Sequence, residues 1–349
     1  MTTPKNLNYY MPAEWYPHEC CWMQWPYENP KHNGYGAIPS WSHFDFDKGR
    51  IAWAKVANSI IEFEKVKMIV HPNEITKAKN LLDSKIEIIK LKIDDCWARD
   101  SGAIFLLNKE NKLGGIDWEF NGWGKFKPYD SDNKIAKFMI ENTSAKYFKN
   151  NMILEGGSIH VDGEGTLLTT EQCLLNKNRN PKLSKEEIEK NLKEFLNVNK
   201  IIWLKNGTDD GTDGHVDNIA CFIKPGAAIA LSCSDKNDTF YDKINENLEI
   251  LKTATDNKGR RLDIIEIEMS YKRLIPDDDE PSSYINFYIA NKGIVMPSFE
   301  DEKADYHAKT IVQSSFPGRK IIAINGIDIS MGGGNVHCIT QQEPISKTK

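Results

Sequence analysis

Near its end the 349-residue chain reads Gly332-Gly333-Gly334-Asn335-Val336-His337-Cys338-Ile339-Thr340-Gln341-Gln342. Three consecutive glycines allow positive φ and a close approach of the backbone to a ligand. This geometry predicts a site in which Cys338 is a nucleophile. The alternative is that Cys338 is a small buried hydrophobe, which is the usual state of a free cysteine.

The same stretch is the last of five similar units, each of which reads strand, strand, helix, strand. The units begin at similar intervals, near Trp97, Glu155, His215, Tyr284 and Asn335. Such a period indicates an internal repeat. Because the fifth unit has only its first strand at the C-terminus, we expect the N-terminal strand, helix and strand to complete it. The sequence therefore predicts a five-unit, pseudo-symmetric α/β ring, a single domain over residues 1–349.

Apolar periodicity predicts the elements of these units. Helical spacing extends over 47–63, 133–140, 241–251 and 303–314, and short apolar runs predict strands at 66–70, 86–91, 201–204, 262–267, 284–290 and 321–324. The segment 118–129, rich in Gly and aromatic residues, is expected to be a loop. Ser184 and Glu187 form a capping box at the start of a further helix. No glycine motif for a dinucleotide or a phosphate follows any predicted strand, so a nucleotide-binding fold has no support.

Composition limits the partners and the compartment. A formal net charge of −5 and a pI near 6.0 give no general attraction to nucleic acid or to an anionic membrane, so a cationic partner must be recognised locally by carboxylates. No stretch is long and apolar enough for a membrane span or a signal peptide, which predicts a soluble protein. Seven cysteines without paired C-x-x-C spacing favour neither disulfides nor a zinc ribbon, and indicate a reducing cytoplasm.

Several chemically active residues occur at the same phase of the repeat. If the starts of the units face the axis of the ring, six residues meet there: Trp97, Asp100, Glu155, His215, Asp217 and Cys338. Each has a structural alternative, since Asp100 could pair with Arg99, Glu155 could cap a turn, and His215 could be a hydrogen-bonded loop histidine. Because all six residues recur at the same position of the repeat and lie near glycines, a functional site is favoured over these alternatives.

These residue types fit the chemistry of a guanidinium group. A guanidinium is a planar fork of donors that stays charged, and two carboxylates such as Asp100 and Asp217 can hold it. The indole of Trp97 could cover the face of the cation, a contact that contributes roughly 0.5 to 2 kcal/mol. A cysteine near a histidine, here Cys338 and His215, is the usual activated thiol, in which a cationic environment favours the thiolate and the imidazole moves protons.

Zinc is the alternative ligand for the same residues. His215, Asp217 and Cys338 are suitable ligand types, but they lack the close i, i+3 or i, i+4 spacing of common zinc sites. We therefore expect no metal at this site.

The sequence resembles the agmatine deiminases, a branch of the guanidine-modifying superfamily, over nearly its whole length. The stretches that carry the resemblance are Met11-Pro12-Ala13-Glu14-Trp15, Trp97-Ala98-Arg99-Asp100-Ser101-Gly102, Glu155-Gly156-Gly157-Ser158, Leu175-Asn176-Lys177-Asn178-Arg179-Asn180-Pro181, Thr212-Asp213-Gly214-His215-Val216-Asp217 and the stretch from Gly332 to Gln342. The chain departs from the family pattern at Ala103, where Pro is common, and at Tyr27, where Glu is common. These departures concern loops that measure substrate length.

The resemblance implies a five-bladed α/β-propeller, or pentein, and a cofactor-free hydrolase that converts agmatine to N-carbamoylputrescine and ammonia. It makes Cys338 the nucleophile, His215 the general acid and base, Asp100 and Asp217 the guanidinium clamp, and Glu155 the partner of His215. It also implies a homo-oligomer, a dimer or a tetramer. The alternatives are a deiminase for free, methylated or peptidyl arginine, an amidinotransferase, and a non-catalytic pentein that binds a macromolecule.

Overall fold

A computed structural model describes residues 2–33, 44–274 and 280–347, so the predicted domain of residues 1–349 includes parts outside the described residues. The described strands are β1 (Tyr9–Tyr10), β2 (His18–Gln24), β3 (Lys65–Val70), β4 (Glu87–Lys90), β5 (Ile104–Asn108), β6 (Leu113–Glu119), β7 (Lys146–Ile153), β8 (Ile159–Val161), β9 (Thr166–Thr170), β10 (Lys200–Leu204), β11 (Ala220–Lys224), β12 (Ala227–Ser232), β13 (Asp263–Glu268), β14 (Tyr288–Ala290), β15 (Gly293–Ser298), β16 (Lys320–Asn325) and β17 (Thr340–Pro344). They form five sheets of three or four strands.

The α-helices connect strands along the chain. They are α1 (Phe46–Ile60), α2 (Ile75–Leu81), α3 (Ala98–Ser101), α4 (Ile135–Glu141), α5 (Glu171–Leu174), α6 (Lys185–Phe195), α7 (Tyr241–Thr253), α8 (Glu302–Ser315) and α9 (Ile327–Ser330). Side chains cap the starts of α1, α5, α6 and α8. At α1 the carboxylate of Asp45 accepts from two backbone amides. The capping box of Ser184 and Glu187 is present at α6, as predicted.

Each sheet repeats one pairing pattern. Its first strand is antiparallel to the second, and the second is parallel to a strand that follows a helical crossover, as in β11, β12 and β13. The same order holds for β5, β6 and β7, for β8, β9 and β10, for β14, β15 and β16, and for β17, β2 and β3. The predicted order of strand, strand, helix and strand is therefore confirmed.

The first and last parts of the chain share one sheet. β17 pairs antiparallel with β2, in a register that puts Thr340 opposite Met23, and β3 and β4 complete this sheet in parallel. The predicted joining of the chain ends is confirmed. Cys338 lies two residues before β17, so this pairing fixes the position of the thiol relative to the N-terminal sheet.

Apolar residues pack between sheets on both of their faces. On β2, Cys20 and Trp22 enter one buried cluster with residues of β5 and α4, whereas Cys21 and Met23 enter another with residues of α1 and β14. Strands buried on both faces are expected to be continuously apolar, because neither face meets water. This explains why short apolar runs, rather than alternating patterns, marked the strands in the sequence.

Two segments differ from the sequence interpretation. We expected a strand from Tyr284 to Ala290, but β14 begins only at Tyr288. The backbone amide of Ile285 donates to Ser283 Oγ and the carbonyl of Asn286 accepts from the amide of His337, so these groups do not join a sheet ladder. The Gly- and Trp-rich segment from Trp118 to Tyr129, expected to be a loop, begins inside β6. Among the described residues, no helix combines the length and the apolar character needed to cross a membrane.

Candidate active site

Three of the predicted site residues surround Gly157. A methyl group added to its Cα would lie 2.6 Å from His215 Nδ1, 2.9 Å from Asp100 Oδ1 and 3.0 Å from Asp217 Oδ2. Asp100 is on α3, His215 and Asp217 lie at a short 3-10 helix before β11, and all three are buried. Only a glycine leaves room for these polar atoms to meet beside the backbone.

Cys338 lies next to this group. Its Sγ is 3.5 Å from Asp217 Oδ2 and accepts a hydrogen bond from Asn286 Nδ2 at 3.2 Å. The glycines before it behave as predicted: Gly333 has φ of +94°, and a methyl group on Gly334 would lie 2.5 Å from the indole of Trp97. Trp97 is therefore beside the thiol, as predicted.

The carboxylate of Asp100 is held on both oxygens. Oδ1 accepts from the backbone amide of Gly157 at 3.0 Å, and Oδ2 accepts from Trp123 Nε1 at 3.0 Å. Burial raises its pKa to about 6, an effect that the charge of His215 opposes and that the nearby Asp217 carboxylate reinforces. The alternative in which Asp100 pairs with Arg99 is wrong, since Arg99 bonds instead to Glu14 and to the side chains of Gln341 and Gln342.

Asp217 has a different environment. Its Oδ2 accepts a hydrogen bond from His337 Nδ1 at 2.9 Å, while Oδ1 has no hydrogen-bond partner among the described residues. Burial acts to raise its pKa, but the hydrogen bond and positive charge of His337, together with the charges of His215 and Arg99, hold the pKa below its usual value. Asp217 is thus an anion with one oxygen left to accept from a ligand.

His215 keeps its ring nitrogens unbonded. Nδ1 is 3.7 Å from Asp100 Oδ1 and Nε2 is 3.9 Å from Glu155 Oε2, and neither nitrogen makes a hydrogen bond to a described residue. No carboxylate is thus within hydrogen-bond distance of either nitrogen, and the Cys173 thiol is a further polar neighbour of the ring. Burial disfavours the imidazolium, but Asp100, Cys173 and Glu155 outweigh it and raise the pKa of His215 well above its usual value.

Glu155 connects His215 to an arginine. Its Oε1 accepts from Arg179 Nε at 2.6 Å, and Arg179 in turn donates to Asp213 Oδ2 at 2.6 Å. Both groups of this pair are fully buried. The carboxylate of Glu155 is thereby fixed with Oε2 directed to the imidazole, so its side chain does not cap a turn.

The electrostatics around Cys338 differ from our expectation of a cationic environment. Its polar neighbours are the carboxylates of Asp217 and Asp100 and the amide of Asn286, and His215 is not within hydrogen-bond distance of Sγ. Burial and the two negative charges raise the pKa of the thiol well above its usual value. Without a bound cation, Cys338 is a protonated thiol at neutral pH.

One group of residues has the composition of a metal site. Glu155, Cys173 and His215 are buried and place their ligand atoms within 4.8 Å of one another. The guanidinium of Arg179, 2.6 Å from Glu155 Oε1, puts a positive charge beside this position and disfavours a cation there. Asp217 and Cys338, two members of the zinc set considered from the sequence, are not in the group.

A cavity of about 60 Å³ borders the glycines before Cys338. Its lining residues include Thr208, Asp209, Asn218, Glu280, Gly333 and Gly334. Oδ2 of Asp209 has no hydrogen-bond partner among the described residues, and burial raises the pKa of this carboxyl. No lining residue that the structure describes is basic, so the cavity suits a positively charged group.

Sequence reasoning missed the groups that hold the site together. These are Glu14, Arg99, Asn286 and His337, together with Trp123, Cys173 and Arg179. Asn286 was detectable in principle, because it lies two residues after the predicted start of the fourth unit. His337 was also detectable, because it is adjacent to the proposed nucleophile.

Comparison with known proteins adds to this geometry. Residues 10–344 match the family model described as Porphyromonas-type peptidyl-arginine deiminase, which covers nearly the whole chain. The chain belongs to this family.

Relatives and a solved structure of this family are similar over the full length. A Legionella pneumophila (strain Philadelphia 1) protein named "Putative agmatine deiminase" is 47% identical over 99% of this chain and 97% of its own length. The agmatine deiminase of Pseudomonas aeruginosa (strain UCBPP-PA14) is 40% identical over 99% and 98%, respectively. The structure of the Enterococcus faecalis agmatine deiminase superposes with a TM-score of 0.91 at 36% identity, covering 100% of this chain and 99% of that one.

Proposed function

We propose that the chain hydrolyses agmatine to N-carbamoylputrescine and ammonia through a covalent amidino-cysteine intermediate. The observation that carries the proposal is the convergence of Asp100, Asp217 and His215 on one point beside Gly157, with the Cys338 thiol 3.5 Å from Asp217. Relatives named agmatine deiminase, similar over the full length, support the same reaction.

The two carboxylates would bind the guanidinium and also activate the thiol. Asp100 and Asp217 hold the flanking nitrogens, which places the central carbon against Cys338 Sγ. In the free protein these carboxylates raise the pKa of the thiol. A bound cation offsets their charge and lowers that pKa, so the thiol loses its proton to water as substrate enters.

His215 would then move protons on the nitrogen side of the carbon. The thiolate of Cys338 attacks, a C–S bond forms, and the imidazolium of His215 donates a proton to the departing nitrogen, which leaves as ammonia. The neutral imidazole next accepts a proton from water, whose oxygen attacks the same carbon and releases the thiolate. Glu155, fixed by Arg179 at 2.6 Å, stabilises the imidazolium from its other side.

The cavity beside Gly334 supports agmatine rather than arginine as the substrate. Agmatine carries a second positive charge at the end of its chain, whereas arginine carries a carboxylate there. The described lining of this cavity includes the carboxylates of Asp209 and Glu280 and no basic residue. They attract an ammonium and repel an α-carboxylate, and a like-charge contact of this kind costs several kcal/mol.

We also propose that the five sheets are the blades of a closed five-bladed propeller that forms one domain over residues 1–349. The support comes from the buried clusters between sheets. Each of the five buried clusters joins two sheets, and each sheet contributes to two clusters. Named by one strand each, the sheets that share a cluster follow the order β2, β5, β8, β11, β14 and back to β2. This order is cyclic, and the axis of the ring is where the site residues lie.

Turnover of a small set of guanidines tests the function. The purified protein is incubated with agmatine, arginine, dimethylarginine and a peptidyl-arginine, and the ureido product and ammonia are measured for each. We expect product from agmatine at far higher kcat/KM than from the others, and an Asp209→Asn variant with a raised KM for agmatine only. Faster conversion of arginine or of the peptide would replace agmatine as the substrate, and no ammonia from any of them would overturn the reaction.

A further inference from the structure

Behind Asp217 lies a chain of buried ionic hydrogen bonds that no step above uses. His337 Nδ1 is 2.9 Å from Asp217 Oδ2, and His337 Nε2 is 2.9 Å from Oε1 and 3.1 Å from Oε2 of Glu14. All three side chains are at least nine-tenths buried. An ionised carboxylate can only accept, so a ring between two of them must donate from both nitrogens. His337 is therefore an imidazolium, and its orientation is fixed at both ends.

Glu14 is itself fixed by further cationic groups. Arg99 Nη1 lies 3.3 Å and His160 Nε2 lies 3.5 Å from its carboxylate oxygens. Arg99 is the neighbour of Asp100 on α3, and its backbone amide donates to the carbonyl of Cys338 at 3.1 Å. One buried network thus supports the backbone on both sides of the clamp and ends on the carboxylate of Asp217.

Asp217 needs such support because it shares its surroundings with other acids. The charged or titratable groups that face it from neighbouring elements are Asp100, Asp209, His215, His337, Cys338 and Arg99. Asp100 is an equally buried carboxylate without a hydrogen bond to an imidazolium, and burial raises its pKa to about 6. The pKa of Asp217, which has that hydrogen bond, stays below its usual value.

We propose that His337, held by Glu14, is a positioning residue that keeps Asp217 ionised and aimed at the guanidinium, and this rests on the proposed function. The structure leaves Asp217 Oδ1 without a described partner while Oδ2 is occupied by the imidazolium. The bound oxygen fixes the rotation of the carboxylate, and the other remains for the substrate. His337 touches no reacting atom, so it acts only through Asp217.

Two variants test the proposal by turnover. Glu14→Gln removes the charge that keeps His337 protonated, and His337→Asn keeps a neutral donor near the Nδ1 position without the positive charge. We expect either to lower kcat/KM for agmatine by about 10- to 100-fold, because a charge-assisted hydrogen bond to the clamp is lost. The low-pH limb of kcat/KM should move to higher pH and become steeper than the limb that Asp100 alone produces, because Asp217 without its imidazolium also binds a proton more readily.

Glu64→Gln is a matched control. Glu64 is a buried carboxylate paired with His18 at 3.2 Å, as Glu14 is with His337, but it bonds to Tyr288 and Asn291 rather than to the site. We expect it to lower the melting temperature without moving the pH profile. A shift of the pH limb in Glu64→Gln equal to that in Glu14→Gln would show that loss of any buried pair has this effect, and the proposal would be wrong.

A measurement without substrate separates this proposal from the proposed function. The wild-type protein is labelled with ¹⁵N-histidine and its ring nitrogens are observed by NMR. The signals of His337 are assigned by their loss in His337→Asn or by through-bond connection. We expect them to show an imidazolium at pH 7 and above. A neutral His337 at pH 7 overturns the proposal even if agmatine is hydrolysed or the variants fail to fold. A wild-type protein that releases no product from agmatine, with His337 still an imidazolium, overturns the proposed function and leaves the pairing of His337 with Asp217 intact.

Discussion

Two clusters of buried ionic groups meet at Asp217, and they differ in how fully their atoms are bonded. In the reacting cluster (Asp100, Glu155, His215 and Cys338), both nitrogens of His215 lie 3.7 Å or more from the nearest carboxylates. In the supporting cluster (Glu14, Arg99, His160 and His337), both nitrogens of His337 make hydrogen bonds of 2.9 Å. A histidine adjacent in sequence to a proposed nucleophile is therefore not necessarily the base that serves it. The adjacent His337 is locked, and the distant His215 is free to exchange protons.

The largest effect should come from the nucleophile of the reacting cluster. We expect Cys338→Ser to lower kcat for agmatine by about 10⁴-fold or more, because a hydroxyl has a far higher pKa than a thiol and is not deprotonated by a bound cation. Rates and melting curves of both proteins provide the measurement. The melting temperature should be nearly unchanged, and retained activity would refute covalent catalysis by Cys338.

Replacing the free histidine tests the contrast directly. We expect His215→Asn to lower kcat by about 10²- to 10⁴-fold, the usual contribution of a general acid and base. Both ammonia release and hydrolysis of the covalent intermediate should become slower. Single-turnover kinetics with acid quenching measures the rates of these two steps separately. If His337→Asn had the larger effect on kcat, the roles of the two histidines would be reversed.

The clamp carboxylates should give a smaller loss. Asp100→Asn or Asp217→Asn keeps the size of the side chain and removes a charge-assisted hydrogen bond, which contributes about 1.5 to 3 kcal/mol, so kcat/KM should fall by about 10- to 150-fold. Since both residues also place the carbon over Cys338, the loss should appear in kcat as well as in KM. A normal kcat/KM for Asp217→Asn would mean that Asp217 only pairs with His337.

The pH dependence of kcat/KM should show that Asp100 and Asp217 differ in pKa. The pKa of Asp100 is raised to about 6 by burial, so below that pH Asp100 is protonated and cannot pair with a guanidinium. We expect kcat/KM to fall about tenfold per pH unit below about pH 6, and kcat to fall only at lower pH, because bound substrate stabilises the anion. A pH profile that stays flat down to pH 5 would contradict the raised pKa.

The smallest effect should come from Cys173, which lies beside His215 but outside the proposed reaction. We expect Cys173→Ser to leave kcat/KM within about twofold of the wild type, because a serine hydroxyl can replace the thiol as the polar neighbour of His215. Chelators should likewise leave activity intact, whereas alkylation of Cys338 should abolish it and agmatine should protect. Loss of activity with a chelator, restored by zinc, would indicate a metal at Glu155, Cys173 and His215.

The sequence predicted the repeating units well, because strands buried on both faces are continuously apolar and each crossover helix has its own periodicity. It also predicted that six residues lie close together, because all of them lie at the starts of four of the five units: Trp97, Asp100, Glu155, His215, Asp217 and Cys338. It could not predict the charges around the thiol. Cys338 has carboxylates and an amide as neighbours, and this depends on side-chain directions that no spacing records.

The supporting cluster was out of reach for a different reason. Glu14 and His337 are 323 positions apart in the chain, and Arg99 reaches Gln341 across 242. Neither pair leaves a periodic signal, because each involves one position in one unit rather than a recurring one. Arg99 was noticed only as a neighbour that could pair with Asp100, and its actual bonds to Glu14 and Gln341 follow from the pairing of β17 with β2.

The pairing of β17 with β2 also determines when the protein can become active during its synthesis. Trp22 and Glu343, which bond across these strands, are 321 positions apart, so the N-terminal sheet waits for its fourth strand until nearly all of the described chain has been made. Contacts of such separation form slowly, because a long loop must close first. Cys338 is therefore the last of the six predicted site residues to be synthesised. A nascent chain that ends before β17 lacks both this thiol and the strand that positions it, and it leaves the edge of β2 open to chaperones or to other unfinished chains.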